Sequence, residues 1–289
     1  MDLAKAEAAF DNGGISPSRV GILGGGTLAH LLHATANPTP ATREMIIGTA
    51  GHALVLQSEK WRSVITVADK LPLGGPGVTN AIRDQRKADW VALLEDAKKE
   101  HKTLIGTEDF DEASKMAGRL IEMFARIHGA DDGGNEFCSA WIKNELHTEQ
   151  KIGWVDEGAG VPCHGIIDGL SLDGTFIADI KTTKDAGVEA FSREIFSKKY
   201  HIKCAMYADA VKTLTGIAPR VWLPVVENHP PYEPRMFEMN ELALEDGRRT
   251  YRRCLATWQR YLDDPNDWRG YPLKASQISI PRWAMGRLA

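Results

Sequence analysis

The chain has 289 residues, 43% of them hydrophobic and 26% charged, which suits a globular protein with one sizeable core or two small ones. Its 35 basic and 39 acidic residues leave a formal charge of −4, so no uniformly basic surface exists and any face that grips a polyanion must be local. The four cysteines, Cys138, Cys163, Cys204 and Cys254, form no Cys-x-x-Cys pair; this excludes a zinc ribbon or clustered iron–sulfur site and reads as reduced thiols in a cytosolic protein.

The first residues, Met1 to Ala6, lack the charged-then-apolar signature of a secretion signal. Nowhere does an apolar run approach the roughly 18–20 residues of a membrane span, so no membrane partner is expected. Ser16-Pro17 predicts a helix N-cap with proline in the first turn, and that helix ends at Gly24-Gly25-Gly26. A second helix is predicted over Thr27–Thr35. Gly24-Gly25-Gly26-Thr27 is not a phosphate loop, because no Lys-Ser or Lys-Thr follows and no strand precedes it. His30 and His33 have no acidic companion and read as incidental. Asn37-Pro38-Thr39-Pro40 breaks the chain. From Arg43 to about Leu56, Met45, Ile46, Ala50, Ala53, Leu54 and Val55 have helical spacing, with His52 inside that helix.

A strand-like piece at Ser63–Val67 precedes a Gly- and Pro-rich loop at Leu71–Gly77. Ala81–His101 predicts an amphipathic helix with Ile82, Trp90, Leu93 and Leu94 on its apolar side. Thr107–His128 predicts another, its acidic first turn at Glu108-Asp109 complementing the helix dipole. Gly129–Gly134 reads as a loop. Phe137–Leu146 and Lys151–Val155 read as strands separated by Thr148-Glu149-Gln150. Ser192 to about Leu214 predicts helix with an interruption near Tyr200. Val221–Val226 is a β-branched run with a proline inside it, which places it near a sheet edge. Arg235–Met239 predicts a further strand and Leu242–Leu262 a long helix. Arg248, Arg249, Arg252 and Arg253 make a basic stripe on that helix, either a solvated face or a surface for phosphates or another subunit.

Between these elements lies the most informative stretch. Gly165-Ile166-Ile167-Asp168-Gly169-Leu170, a turn at Asp173-Gly174, and Phe176-Ile177-Ala178-Asp179-Ile180-Lys181-Thr182-Thr183 predict a β-hairpin. Alternation puts Asp179 and Lys181 on one side of their strand and Ile180 on the other, with Asp168 on the partner strand within reach. Asp is disfavoured inside strands, so two of them beside a lysine point to chemistry rather than to a solvated ion pair. Carboxylates that hold a hard cation suit phosphodiester hydrolysis, which needs an activated water and neutralised phosphate charge. Asp168 and Asp179 are the expected metal ligands, with the Ile180 carbonyl as a further oxygen. Lys181 is expected to orient or deprotonate the attacking water or to stabilise the transition state.

Over about residues 15–262 the chain resembles the PD-(D/E)XK nuclease superfamily, in particular phage exodeoxyribonuclease VIII-type exonucleases. Four segments carry the resemblance in order: Ile15-Ser16-Pro17-Ser18 with the helix Gly48 to Leu56; Thr148-Glu149-Gln150-Lys151-Ile152; the hairpin; and Tyr200-His201-Ile202-Lys203-Cys204-Ala205-Met206-Tyr207, similar to the family's Gln-x-x-x-Tyr helix. The resemblance implies roles for His52 and Glu149 as catalytic residues and metal ligands. Lys203 stands where the family usually has Gln, and Ile166 where it tends to have a basic residue. Lys203, Tyr207, Arg248 and Arg252 are the expected DNA contacts.

The resulting expectation is an α/β fold of restriction-endonuclease-like type: a central mixed sheet flanked by helices, with a helical N-terminal layer, forming a single domain over 1–289 with tails at about 1–14 and 270–289. The expected function is a Mg²⁺-dependent exodeoxyribonuclease on linear double-stranded DNA, with Mn²⁺ as a possible substitute. The resemblance further implies a homo-oligomeric ring, action beside a single-strand annealing protein in phage-type recombination, and a cytoplasmic location in a bacterial host. The alternatives are a structure-selective or single-strand nuclease on the same fold, and a non-catalytic DNA-binding protein.

Overall fold

Periodicity and capping account for most of the helices in the computed structural model, which describes residues 10, 14–71, 73–75, 77–129, 135–266 and 269–279. Helix α1 (Pro17–Gly25) is capped by Ser16, whose side chain accepts from the Arg19 N–H at 3.4 Å. Helix α2 (Leu28–Ala36) follows, with His30 Nδ1 accepting from the Thr27 N–H at 3.2 Å, so His30 serves the helix start. Helix α3 (Arg43–Leu56) is capped by Thr42 and buries Ile47, Ala50, Ala53, Val55 and Leu56. Met45, expected on its apolar side, is exposed. Strand β1 (Ile65–Ala68) pairs in parallel with β2 (Thr103–Gly106) across helix α4 (Asn80–Lys99). Helix α5 (Thr107–His128) buries Ala113, Met116, Ala117, Leu120, Met123 and Phe124, the spacing of one helix face.

The expected apolar side of α4 does not enter the core. Only Ala97 is buried, while Ile82, Val91 and Leu93 are exposed. Residues 137–142 also depart from expectation, since helix α6 (Glu136–Ile142) replaces the anticipated strand. Asn135 accepts from the Cys138 N–H at 3.1 Å and Glu136 lies in the first turn, so the local capping signal outweighs the short apolar run. Most of the expected 129–134 loop, Pro72 and Pro76 of the 71–77 loop, and residues 1–9, 11–13 and 280–289 of the tails lie outside the described residues.

The main sheet is mixed. Strands β3 (Leu146–Val155), β4 (Pro162–Ser171) and β5 (Phe176–Ala178) run antiparallel in that order. Thr148-Glu149-Gln150 does not separate two strands but lies within β3. Strand β7 (Arg220–Glu227) runs parallel to β5 along its first half and to β6 (Lys181–Thr183) along its second, and β8 (Pro234–Glu238) pairs antiparallel with it. Both short strands keep one register against β7, Ala178 opposite Trp222 and Lys181 opposite Val225, so they are one strand interrupted at Asp179-Ile180. That interruption explains Pro224. The sequence placed it near a sheet edge, yet β7 is interior; Pro224 lies opposite the break, where no ladder donor is required.

Helices cover both faces. On one side α1, α2, α8 (Tyr200–Thr215) and α9 (Glu241–Asp263) pack over Ile152, Trp154, Cys163, Ile177, Val221 and Leu223. On the other, α3, α5 and α6 pack over Phe176, Ala178, Ile180 and Trp222. Helix α7 (Val188–Ser197) is separated from α8 by Lys198-Lys199, and Lys199 has a left-handed φ of 63°; this is the interruption expected near Tyr200. All four cysteines are free and buried. No helix among the described residues is long and apolar enough to cross a membrane.

Gly165 is where α8 meets the sheet most closely. A Cβ there would stand 2.5 Å from the Tyr207 ring, well inside van der Waals contact. Gly165→Ala should therefore destabilise the protein by about 1–3 kcal/mol, read as a fall in thermal midpoint of roughly 2–9 °C, and the double variant Gly165→Ala/Tyr207→Leu should recover part of that loss.

Candidate active site

The register of three neighbouring strands creates the site. Gly169 pairs with Ala178, so the next step brings Asp168 opposite Asp179; Thr148 pairs with Gly169 and Gln150 with Ile167, so Glu149 lies opposite Asp168. Three carboxylates thus stand in one row, one per strand, on strands spaced about 4.8 Å apart. They share a face through a local irregularity. Ile167 and Leu170 both enter the core beneath α8, although strict alternation would separate them, so the pleat slips by one residue at Ile167-Asp168. Across the ladder from this slip, Glu149 adopts a left-handed φ of 49°, a conformation that costs about 1–3 kcal/mol for a non-glycine residue and that concentrates at functional sites.

Like charges in a row repel, and each acid meets a different counterweight. Asp179 is 2% exposed and ion-paired to both Lys181 and Lys203, the latter at 2.9 Å. Burial opposes its ionisation, but the two ammonium groups outweigh burial and hold its carboxyl below the usual range. Burial likewise works against the Lys203 charge, yet Asp179, Asp168 and Tyr207 hold it well above its ordinary value. Asp168 Oδ2 accepts from the Ile180 N–H at 2.8 Å and lies 3.6 Å from His52 Nδ1. The Glu149 side chain has no hydrogen-bond or ion-pair partner among the described residues: burial, then the Asp168 charge, pushes its carboxyl up to about 7 against the weaker pull of Lys203.

The Ile180 peptide is gripped from both sides. Its N–H goes to Asp168, and its carbonyl accepts from His52 Nε2 at 2.9 Å and from Lys181 Nζ at 3.1 Å. With Nε2 donating, the other imidazole nitrogen of His52 carries its lone pair toward Asp168. His52, Glu149 and Asp168 bring one donor atom each to within 4.8 Å of one another. Two carboxylates and an imidazole, with one acid still seeking a positive neighbour, fit a hard divalent cation such as Mg²⁺ or Mn²⁺. The assembled set differs from the sequence expectation in two members. Asp179 is committed to the two lysines, and the two lone pairs of the Ile180 carbonyl are both engaged.

Of the expected DNA contacts, Lys203 and Tyr207 lie at the cluster, with the Lys203 ammonium 5.4 Å from the Tyr207 ring centre. Burial pushes the Tyr207 phenol up. Arg248 instead binds Asp209 at 2.8 Å and also Glu241, and Arg252 lies 3.5 Å from Asp209, so both are occupied by carboxylates of α8 and α9. Two cavities flank the cluster and share Thr49 and His52. One, of about 860 Å³, is lined by Lys184, Arg193, Lys198 and Tyr200; the other, of about 550 Å³, by Ser16, Ser18, Glu149, Asp168, Lys203 and Tyr207. Sequence reading missed Lys184, Lys198 and Tyr200. The Lys198-Lys199-Tyr200 run just before the helix of Lys203 was the available signal.

A sandwich of helices on a mixed sheet, with Asp168, Asp179 and Lys181 at the point where one strand breaks, defines an α/β protein of PD-(D/E)XK type. The chain belongs to the family described as PDDEXK-like domain of unknown function, which it matches over residues 27–264. Its fold is similar to the crystal structure of a protein from Eubacterium rectale described as a "putative exonuclease", at 12% identity and a TM-score of 0.55, covering 94% of this chain and 93% of that one. No curated protein matches the chain by sequence.

Glu149 makes the site pH-sensitive. Its folded-state value, about 7, lies above its ordinary 4.5, so the stability linked to its protonated form is fully present below about 4.5 and is lost as pH rises through about 7. Without metal, Glu149→Gln should melt higher than wild type at pH 8 and alike near pH 4.5. With Mg²⁺ or Mn²⁺, wild type should gain thermal stability at pH 8 and little at pH 6, and the variant should lose most of that gain. Melting scans with and without chelator read both effects.

Proposed function

We propose that this chain is a divalent-metal-dependent exodeoxyribonuclease that hydrolyses phosphodiester bonds of linear double-stranded DNA. The observation that carries the reading is the row Glu149–Asp168–Asp179, with Lys181 and His52 converging on it, set between two cavities that meet at Thr49 and His52. A cation held by His52, Glu149 and Asp168 would neutralise phosphate charge and acidify a water.

The chain's own residues do the rest. Asp179, kept ionised by its lysines, holds Lys181 Nζ beside the Ile180 carbonyl and over the Tyr200 ring, 5.0 Å from its centre. From there Lys181 orients the attacking water or meets charge developing on the phosphate. Lys203 fixes Asp179 from the opposite side; its position as the substitute for a neutral Gln makes it a positioning residue first and a phosphate contact second. Lys184, Arg193 and Lys198 line the larger cavity beside Glu44 and Glu194; Lys184 has no ion pair among the described residues, and Lys198 and Arg193 would meet phosphate by exchanging Glu194 and Glu189 for it. Arg248 and Arg252, held by Asp209, reach DNA in this reading only by exchanging that partner for a phosphate.

The finer reading includes a ring-shaped homo-oligomer that encloses the duplex, a single-strand annealing protein as partner, and a role in phage-type recombination in the host cytoplasm. Enclosure would keep an acidic protein on DNA without a broad basic surface, and the exposed apolar residues Ile82 and Leu93, eleven positions apart on one face of α4, offer a patch for subunit packing. The whole described fold acts as one catalytic domain in this reading.

Purified protein in Mg²⁺ should degrade linear duplex and leave covalently closed circles intact. Equal attack on circles removes the exonuclease assignment, and preferential attack on single strands or flaps favours the structure-selective alternative. Asp168→Asn and Lys181→Ala should each lower the rate by roughly 10²–10⁴-fold. Full activity in both variants would mean that cleavage occurs elsewhere.

A further inference from the structure

A third cavity, of about 350 Å³, lies at the far end of α1 from the acidic cluster. Arg253 and Arg260 of α9 and Arg269 line it together with Gly24, Thr27 and Thr257, and no Asp or Glu is among its described lining residues. This is unusual on α9, where carboxylates neutralise the neighbouring arginines: Asp209, Glu241 and Glu245 surround Arg248, Asp246 takes Arg249 and Asp209 takes Arg252. No described carboxylate lies within ion-pair distance of Arg253, Arg260 or Arg269. Arg260 donates to Thr257 Oγ1 at 3.3 Å, and the Arg269 guanidinium sits 5.1 Å from the Tyr261 ring centre.

The backbone holds this arrangement in place. The Arg269 carbonyl accepts from the Ala29 N–H at 2.8 Å, fixing residue 269 against the start of α2. A Cβ on Gly24 would come within 2.8 Å of Ile202, so glycine lets α1 close on α8 and α9 and shape the cavity. Three guanidinium groups around one small cavity repel one another, and an anion with several oxygens relieves that repulsion.

We infer that this arginine-lined cavity is a second binding site, for a backbone phosphate of the DNA substrate, set apart from the point of cleavage. The inference rests on the nuclease reading above and names where the substrate is held. Helix α1 supplies the link: Pro17 lines the cavity at the acidic cluster and Gly24 lines the arginine cavity. They are seven residues apart on one helix face, about 10 Å along the axis. That places the two cavities at opposite ends of one short helix. The arginine cavity therefore engages a backbone phosphate away from the scissile one, using guanidinium forks suited to phosphate oxygens.

The test compares wild type, Arg253→Gln/Arg260→Gln and Arg253→Lys/Arg260→Lys by fluorescence anisotropy in chelator, where no hydrolysis occurs. The probe is a blunt duplex of about 20 base pairs. The Gln variant should bind this duplex roughly 100-fold more weakly, and the slope of log affinity against log salt should fall by about 1. The Lys variant should keep the slope, which separates lost charge from lost folding, and melting scans check the latter directly. Wild-type affinity and slope in the Gln variant overturn the inference. Calorimetric binding of inorganic phosphate by wild type, with DNA affinity unchanged in the Gln variant, also overturns it and marks a site for free phosphate. If wild type neither binds nor cuts any DNA, the nuclease reading falls as well; if an active wild type is matched by the Gln variant, only the anchor falls.

Discussion

Everything at this site depends on holding three carboxylates in one row across neighbouring strands. Such a row opposes folding, because like charges a strand spacing apart repel and burial withholds water from each. The chain answers acid by acid. Asp179 is held by two ammonium groups, Asp168 by the Ile180 main-chain N–H, and Glu149 by keeping its proton near neutral pH. The unresolved charge is thus confined to one residue at the rim of the cluster, where a cation can enter. A cluster that leaves charge unresolved at one residue, and that a cation would relieve, is the arrangement expected where function is placed above stability.

The irregular backbone serves this row. The left-handed Glu149 and the slipped pleat at Ile167-Asp168 turn acids from two strands toward α8, which regular alternation would not do. The break at Asp179-Ile180 frees a peptide for Asp168, His52 and Lys181 to grip. Pro224 on β7 lies opposite that break, so the same interruption that builds the site removes the penalty of a proline inside a sheet. Helices from both layers then close on the strand ends: α3 delivers His52 and α8 delivers Lys203 and Tyr207.

The distribution of charge follows the same economy. Most arginines of α9 are neutralised by acids of α8 and α9 and fasten those helices together. The three arginines of the cavity at the end of α1 have no described acidic partner, whereas in the larger cavity beside the acidic cluster Lys198 and Arg193 are paired with Glu194 and Glu189. A net charge near zero therefore hides strongly polarised local surfaces, and composition alone is a poor guide to where a polyanion would lie.

Local signals were legible where one short segment holds the whole cause. Ser16-Pro17, Thr42 and the acidic turn at Glu108-Asp109 fix their helices through caps and the dipole, and Asp173-Gly174 fixes the hairpin. The spacing of Asp168, Asp179 and Lys181 already placed the two acids and the lysine together, because alternation on paired strands is a near-neighbour rule. The same rules misread 137–142 and α4: a short apolar run does not distinguish strand from helix, and a periodic face does not reveal whether anything packs against it. Sequence alone therefore determined the hairpin, its acids and its lysine. Only the tertiary structure decided that Glu149 and His52 join Asp168 while Lys203 claims Asp179, because those partnerships join residues tens to more than a hundred positions apart, and their energies depend on burial that no local pattern encodes.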